Sequence, residues 1–350
     1  MTAMTAMTAM TSMSATAQAL VAPGKGLLAM DESVGTCDKR FASVGLQSGS
    51  EARRAYRELL VTTPGLGDCI SGAILHDETL HQTTGDGTPL IQVLTAAGII
   101  PGIKVDGGTV DLAGHPAERV TEGLDGLRER LKAYGAMGMR FAKWRAVCSI
   151  GHDLPTAACI EANAHALARY AALCQEAGLV PIVEPEVLMD GDHTLARCQA
   201  VTDAVLHSVF EQLHTQGVAL EAMVLKPNMV LPGLRCPTQA SVTQVAEATL
   251  ACLLRAVPAA VAGIAFLSGG QASEQASARL NAMHLQGGPA SAPLPWPLTF
   301  SFARTLQQPA LQLWAQGPEN RVAAQQALLH RARCNSAARR GEYDPAMESP

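Results

Sequence analysis

The sequence predicts one closed (β/α)8 barrel of the α/β class, a TIM barrel, and three observations carry that prediction. Short apolar runs recur along the chain, each followed by polar or glycine-rich residues and then by a longer stretch with helical periodicity. Eight such runs are present. No Pro/Gly-rich linker divides them, and strands joined by helical crossovers in one undivided domain favour a closed parallel barrel over an open doubly wound sheet.

In chain order the candidate strands are residues 27–30, 70–75, 99–105, 140–144, 180–183, 222–225, 263–267 and 298–301. Leu27-Leu28-Ala29-Met30 opens the series and stops at Asp31-Glu32-Ser33, a polar trio suited to capping a helix. The run Ile99-Ile100-Pro101-Gly102-Ile103 closes on Lys104, the run around Phe141 carries Lys143, and Ala222-Met223-Val224-Leu225 closes on Lys226 just before Pro227. Amphipathic stretches fall at 51–60, 118–134, 155–176, 194–214, 242–256 and 274–283, with a final pair at 304–314 and 319–338. Only the second connection lacks a clear long helix.

At 350 residues, 48% hydrophobic and 16% charged, the chain can bury a large core. A net charge of -5 leaves no basic footprint for nucleic acid, so an anionic ligand has to be held by local groups. Nine cysteines without a CxxC pair read as reduced thiols in a cytoplasmic protein, and the ten histidines show no metal-ligand spacing, so neither a metal nor another cofactor is expected. Residues 1–17 form a charge-free Met-Thr-Ala repeat without the features of a targeting signal and read as a disordered extension. The barrel then spans 18–343, and 344–350 form a short tail. The apolar stretch 257–267 is too short to cross a bilayer, so no membrane partner is expected.

Lysine is scarce: of 26 basic residues only six are Lys, at 25, 39, 104, 132, 143 and 226, and three of those sit at apparent strand ends. Arginine stays protonated, whereas an amine in a crowded, partly buried site can lose its proton and attack a carbonyl. Barrel enzymes place catalytic groups at the carboxyl ends of their strands. The residues there are Asp31, Lys104, Lys143 with Arg145, Glu184 with Glu186, Lys226, Ser268-Gly269-Gly270, and Ser301 with Arg304. Such a pocket suits an anionic substrate, and the Ser268-Gly269-Gly270 turn can aim backbone N–H groups at a phosphate. Lys226 can form a Schiff base with a ketone, with Asp31, Glu184 and Glu186 as candidate acids and bases. Taken singly, Lys226 reads as a solvent-tipped strand end, Asp31-Glu32-Ser33 as a helix cap and the glycine pair as a simple turn. Their convergence on one rim is what the single readings leave unexplained.

Seven stretches together resemble the class I, Schiff-base-forming fructose-1,6-bisphosphate aldolases: GKGLLAMDESVGTCDKR (24–40), GIKVD (102–106), FAKWR (141–145), VPIVEPE (180–186), LKPNMV (225–230), FLSGGQ (266–271) and LTFSFAR (298–304). The resemblance implies a barrel that reversibly cleaves fructose 1,6-bisphosphate into dihydroxyacetone phosphate and glyceraldehyde 3-phosphate, in glycolysis and gluconeogenesis. It makes Lys226 the Schiff-base lysine, Asp31 the group acting on the C4 hydroxyl and Glu184 the acid/base of carbinolamine chemistry. Lys143 and Glu186 then support proton transfer and charge balance. Ser268, Gly269 and Arg304 fall at the C1 phosphate, with Gly270 of the same turn beside them and Ser301 as a further substrate-binding candidate, and Ser33, Thr36, Arg40, Lys104 and Arg145 fall around the other phosphate and the sugar hydroxyls. It further implies a homotetramer without a metal.

Four departures from the animal members stand out. Thr36 replaces serine, Gly107 replaces a lysine, Phe302-Ala303 replaces Tyr-Gly, and the sequence shows no terminal tyrosine segment, which leaves Tyr343 as its last tyrosine. If position 303 needed a glycine-only conformation, Ala303 would weaken phosphate binding. The competing readings are another Schiff-base lyase or transferase, such as a transaldolase-like enzyme or a monophosphate aldolase, an inactive barrel scaffold, and a metal-dependent aldolase. Two candidate phosphate cradles argue against the first, the intact Asp31, Glu184 and Lys226 set against the second, and the absence of clustered histidines against the third.

Overall fold

The computed structural model describes residues 3–286 and 293–349, with side chains from residue 10 onward. Residues 1 and 2 of the N-terminal segment and Pro350 of the tail lie outside the described residues. In chain order the strands are β1 (Gly26–Met30), β2 (Ile70–Leu75), β3 (Ile100–Lys104), β4 (Gly108–Asp111), β5 (Arg119–Glu122), β6 (Phe141–Cys148), β7 (Val180–Val187), β8 (Val224–Leu225), β9 (Ile264–Phe266) and β10 (Leu298–Phe302). The helices are α1 (Ala3–Leu20), α2 (Val34–Ala42), α3 (Ser50–Val61), α4 (Asp77–Leu80), α5 (Leu90–Ala96), α6 (Leu127–Ala136), α7 (Ala157–Glu176), α8 (Leu195–Thr215), α9 (Val242–Ala256), α10 (Ser273–Gln286), α11 (Arg304–Trp314) and α12 (Arg321–Arg339).

Eight parallel strands close into a barrel in the order β1-β2-β3-β6-β7-β8-β9-β10, with Leu27 opposite Ser301 where the last strand meets the first. All eight correspond to runs expected from the sequence. Burial on both faces explains why they read as continuous apolar runs rather than alternating ones. Several helices start where side-chain oxygens take up free backbone N–H groups: Ser33 for α2, Thr156 for α7, Thr194 for α8, and Ser241, with Gln244 reciprocating, for α9. Aromatic rings fill the barrel to the point that some strand positions admit only glycine. A β-carbon on Gly102 would stand 2.2 Å from the Phe141 ring.

Two expectations need correction. The stretch 118–134 is helical only from Leu127, because Arg119–Glu122 pairs antiparallel with Gly108–Asp111 in a separate hairpin. Gly123 and Gly126 take positive φ between the two and would break a continuous helix. From Ala3 onward, the N-terminal segment read as disordered instead lies within α1. Met13, Ala17, Leu20 and Val21 are buried against Leu27, Ile74, Phe141, Val180, Ile182, Val224 and Ala265 inside the barrel, so the helix closes the mouth at the strands' N-terminal end. Ser71 Oγ donates to Leu20 O at 2.5 Å and Arg140 Nη2 to Thr16 Oγ1 at 3.1 Å, fixing the helix from two sides. Tertiary packing supplies what composition alone does not.

Candidate active site

With α1 closing one mouth, the opening lies at the carboxyl ends of the strands, as a cavity of about 750 Å³. All fifteen residues singled out from the sequence line it: Asp31, Ser33, Thr36, Arg40, Lys104, Lys143, Arg145, Glu184, Glu186, Lys226, Ser268, Gly269, Gly270, Ser301 and Arg304. Alternation along a strand explains the pairing of positions, since Lys143 with Arg145 on β6, and Glu184 with Glu186 on β7, are each two residues apart and face the same way. The β6–β7 register sets Arg145 opposite Glu184, and the Lys226 backbone N–H donates to Val183 O at 2.8 Å.

A line of four charged side chains crosses the cavity floor, Lys143, Glu184 and Lys226 buried and Asp31 partly so. Lys143 Nζ stands 2.7 Å from Asp31 Oδ2 and 3.0 Å from Glu184 Oε2, and Glu184 Oε1 stands 3.2 Å from Lys226 Nζ. Burial by itself would raise the Asp31 carboxyl, but the ammonium groups of Lys143, Lys226 and Lys104 outweigh it and hold the group at about 2. Burial likewise disfavours charge on Lys143, yet Asp31, Glu184 and Asp106 push its pKa above the ordinary lysine range. The Asp31 carboxyl is therefore ionised and the Lys143 amine charged near neutral pH.

On one side of this line, Gly269 and Gly270 take φ of +57° and +93°, turning the chain so that its backbone faces the cavity. The Arg304 guanidinium lies against that turn: a β-carbon on Gly270 would stand 3.0 Å from Arg304 Nη2. Ser301 Oγ is buried and makes no hydrogen bond among the described residues, so it is free to donate to a ligand. Ala303 adopts φ −108°, and the glycine-only conformation considered from the sequence is not required there.

On the other side, the Ser33 and Thr36 hydroxyls lie 3.0 Å apart at the start of α2. Arg40 pairs with Glu32, Lys104 with Asp106 at 2.5 Å, and Arg145 with Glu186 at 2.5 Å. Burial opposes charge on Arg145, but Glu186 holds its pKa above the usual range.

Sequence reasoning missed Asp106, Glu32 and Gln307. The Asp106 carboxylate holds Lys104 and accepts from the backbone N–H groups of Arg145 and Gly108, both at 3.2 Å. It follows Lys104 by two residues, the signal that could have found it. Gln307 donates to Ala29 O at 2.6 Å and to Glu32 Oε1 at 3.0 Å, and nothing local in sequence marks it. Tyr343 does not line the cavity; its hydroxyl donates to Glu348 Oε1 at 2.7 Å.

The whole arrangement places Lys143, Lys226, Asp31 and Glu184 between two polar arms, one with Arg304 and the glycine turn and the other with Arg40, Lys104 and Arg145. A family model described as "Fructose-bisphosphate aldolase class-I" matches residues 12–350. A "Probable fructose-bisphosphate aldolase class 1" of Xanthomonas axonopodis pv. citri is 58% identical over 329 residues, covering 94% of this chain and 97% of the relative. "Fructose-bisphosphate aldolase 6, cytosolic" of Arabidopsis thaliana is 51% identical over 94% of this chain and 90% of its own length. Among solved structures, a fructose-bisphosphate aldolase from Plasmodium falciparum in complex with TRAP and a small molecule inhibitor superposes with a TM-score of 0.93 at 47% identity, over 96% of each chain. With the barrel, the cavity and these matches in agreement, the chain belongs to the class-I fructose-bisphosphate aldolases, enzymes that carry out aldol cleavage of fructose 1,6-bisphosphate.

Proposed function

We propose that this enzyme cleaves fructose 1,6-bisphosphate through a Schiff base on Lys226, serving glycolysis and gluconeogenesis. The observation that carries the reading is the continuous line Asp31–Lys143–Glu184–Lys226. Glu184 takes the proton that Lys226 gives up as Nζ attacks the C2 ketone, then returns a proton to the carbinolamine hydroxyl, which leaves as water. The iminium draws electrons from the C3–C4 bond. Asp31, ionised under the influence of Lys143, accepts the C4 hydroxyl proton; the bond breaks and the aldehyde departs. Protonation of the enamine and hydrolysis release dihydroxyacetone phosphate and regenerate the amine. Glu186 holds Arg145 beside this line and balances its charge.

The Ser268-Gly269-Gly270 turn, Ser301 and Arg304 receive the C1 phosphate in this reading, and Ser33, Thr36, Arg40, Lys104 and Arg145 receive the other phosphate and the sugar hydroxyls. A cytoplasmic homotetramer completes it, supported by the family and by the cytosolic name of the Arabidopsis relative. Sedimentation at a monomer mass would remove the assembly.

The decisive test is borohydride reduction in the presence of dihydroxyacetone phosphate, followed by peptide mass analysis. The adduct is expected on Lys226. An adduct on Lys104 or Lys143 instead would overturn the assignment.

A further inference from the structure

Away from the cavity, α12 and the segment after it bring together three side chains of types that bind cations. His330 and Cys334 are four residues apart on α12 and share a face, with Nε2 and Sγ 3.7 Å apart. Glu348, in the turn Pro345–Glu348, folds back onto that face, and one ligand atom from each residue lies within 4.8 Å of the others. Met347 O lies 3.9 Å from Cys334 Sγ, offering a further oxygen, and the Tyr343 hydroxyl donates to Glu348 Oε1 at 2.7 Å and orients the carboxylate. None of the three lines the cavity.

The spacing fits tetrahedral coordination. With Zn–S near 2.3 Å and Zn–N near 2.0 to 2.1 Å, the sulfur–nitrogen edge of a tetrahedron is about 3.6 Å, close to the 3.7 Å observed. Imidazole, thiolate and carboxylate together suit a borderline-soft divalent ion better than Mg²⁺ or Ca²⁺, which take all-oxygen sites. Arg331 competes, since it pairs with Glu348 Oε2. It also donates to Ser277 Oγ at 2.8 Å, and a carboxylate has lone pairs for both a guanidinium and a cation. The guanidinium charge makes this a weaker site than a closed cysteine–histidine cage. Cys334 is buried, and the partly exposed His330 and Glu348 form the way in.

We propose that His330, Cys334 and Glu348 form a site for one divalent cation of the Zn²⁺ type, which ties the segment around Glu348 to α12 and takes no part in carbon–carbon bond chemistry. On binding, the Cys334 thiol proton passes to solvent, neutral His330 offers Nε2 and Glu348 binds as the carboxylate. The His330/Cys334 spacing is a ligand spacing that the reading of the histidines from sequence passed over.

The test is titration of Co²⁺ alone into the metal-free full-length chain, followed by thiolate-to-cobalt charge-transfer absorption and by thermal melting. The expected result is a band saturating at one equivalent, displaced by Zn²⁺, with a higher Tm in the metal-bound protein. Cys334→Ser should remove the band. His330→Gln, at a partly exposed position where folding is less at risk, should weaken Co²⁺ binding by at least about tenfold. Cleavage of fructose 1,6-bisphosphate should be the same with and without chelator. Absence of the band, its survival in both variants, or loss of cleavage on chelation would each overturn the proposal.

Discussion

The two arms of the cavity carry similar numbers of polar groups but differ in how their cations are engaged. Around Ser268-Gly269-Gly270, no carboxylate pairs with Arg304 among the described residues, and Ser301 Oγ is unpartnered. Around α2 and β3, Arg40, Lys104 and Arg145 are held by Glu32, Asp106 and Glu186. A phosphate entering the first arm gains its contacts without breaking an internal pair. One entering the second must displace a carboxylate or share its cation, which lowers the net gain. Two arms built from the same residue types can thus bind the same group with different strength, because the competing anion is part of the fold. On our assignment the C1 end of the substrate is the anchored one.

The largest expected effect lies between the arms. Lys226→Met removes the nucleophile while leaving both arms in place, so turnover should fall by more than about 10⁴-fold, beyond what losing a general acid costs. Binding of fructose 1,6-bisphosphate by calorimetry should persist; if it vanished, the arms would not be independent of the catalytic line. Next comes Arg304→Ala. Loss of a charge-assisted contact worth roughly 1.5 to 3 kcal/mol should raise KM about tenfold to a hundredfold, with the same loss in inorganic phosphate affinity. An unchanged KM would place the stronger arm elsewhere.

Asp31 contributes an effect on stability of roughly 2 kcal/mol, from a carboxyl lowered from 3.8 to about 2. Because the folded value is the depressed one, that contribution is present above the unfolded value of 3.8 and is lost as pH falls through about 2. Acid unfolding curves for Asp31→Asn should therefore be flatter than those of the parent between pH 4 and pH 2, and parallel curves would mean the group is not held down by its lysines. The smallest effect sharpens the comparison from the other side. Glu32→Gln frees Arg40 from its competitor while keeping an acceptor for Gln307, so KM for the bisphosphate should fall by about two- to fivefold, the size of a partly exposed ion pair. No change would show that Glu32 does not compete with phosphate.

Much of this is legible in the sequence. Lys226 stands out because lysine is rare here and this one ends an apolar run, and the twelve residues at the ends of such runs converge on one cavity with Ser33, Thr36 and Arg40, which only the family resemblance marks. Asp106 escaped notice because its partners, Lys104 and the Arg145 backbone, are chosen by the packing of neighbouring strands. The Met-Thr-Ala repeat misled for a related reason. It carries no charge pattern of its own, yet Met13, Ala17 and Leu20 recur at helical spacing and become a buried face once the barrel mouth is there to receive them. Similarly, the β-branched pair in Arg119-Val120-Thr121-Glu122 becomes a strand only because Gly108–Asp111 lies alongside.

The sequence by itself determined the alternation of strands and helices, and with it the barrel, because side-chain periodicity of two or 3.6 is a local property. It also determined which functional groups stand at the strand ends, since the order of residues places an amine or a carboxylate there, while their proton affinities are set by the neighbours the fold supplies. Only the tertiary structure decided which cation meets which anion, which arm stays unpaired, and what covers the other mouth. Those outcomes depend on distances of a few ångströms between residues far apart in the chain, and electrostatic and packing energies change steeply over that range.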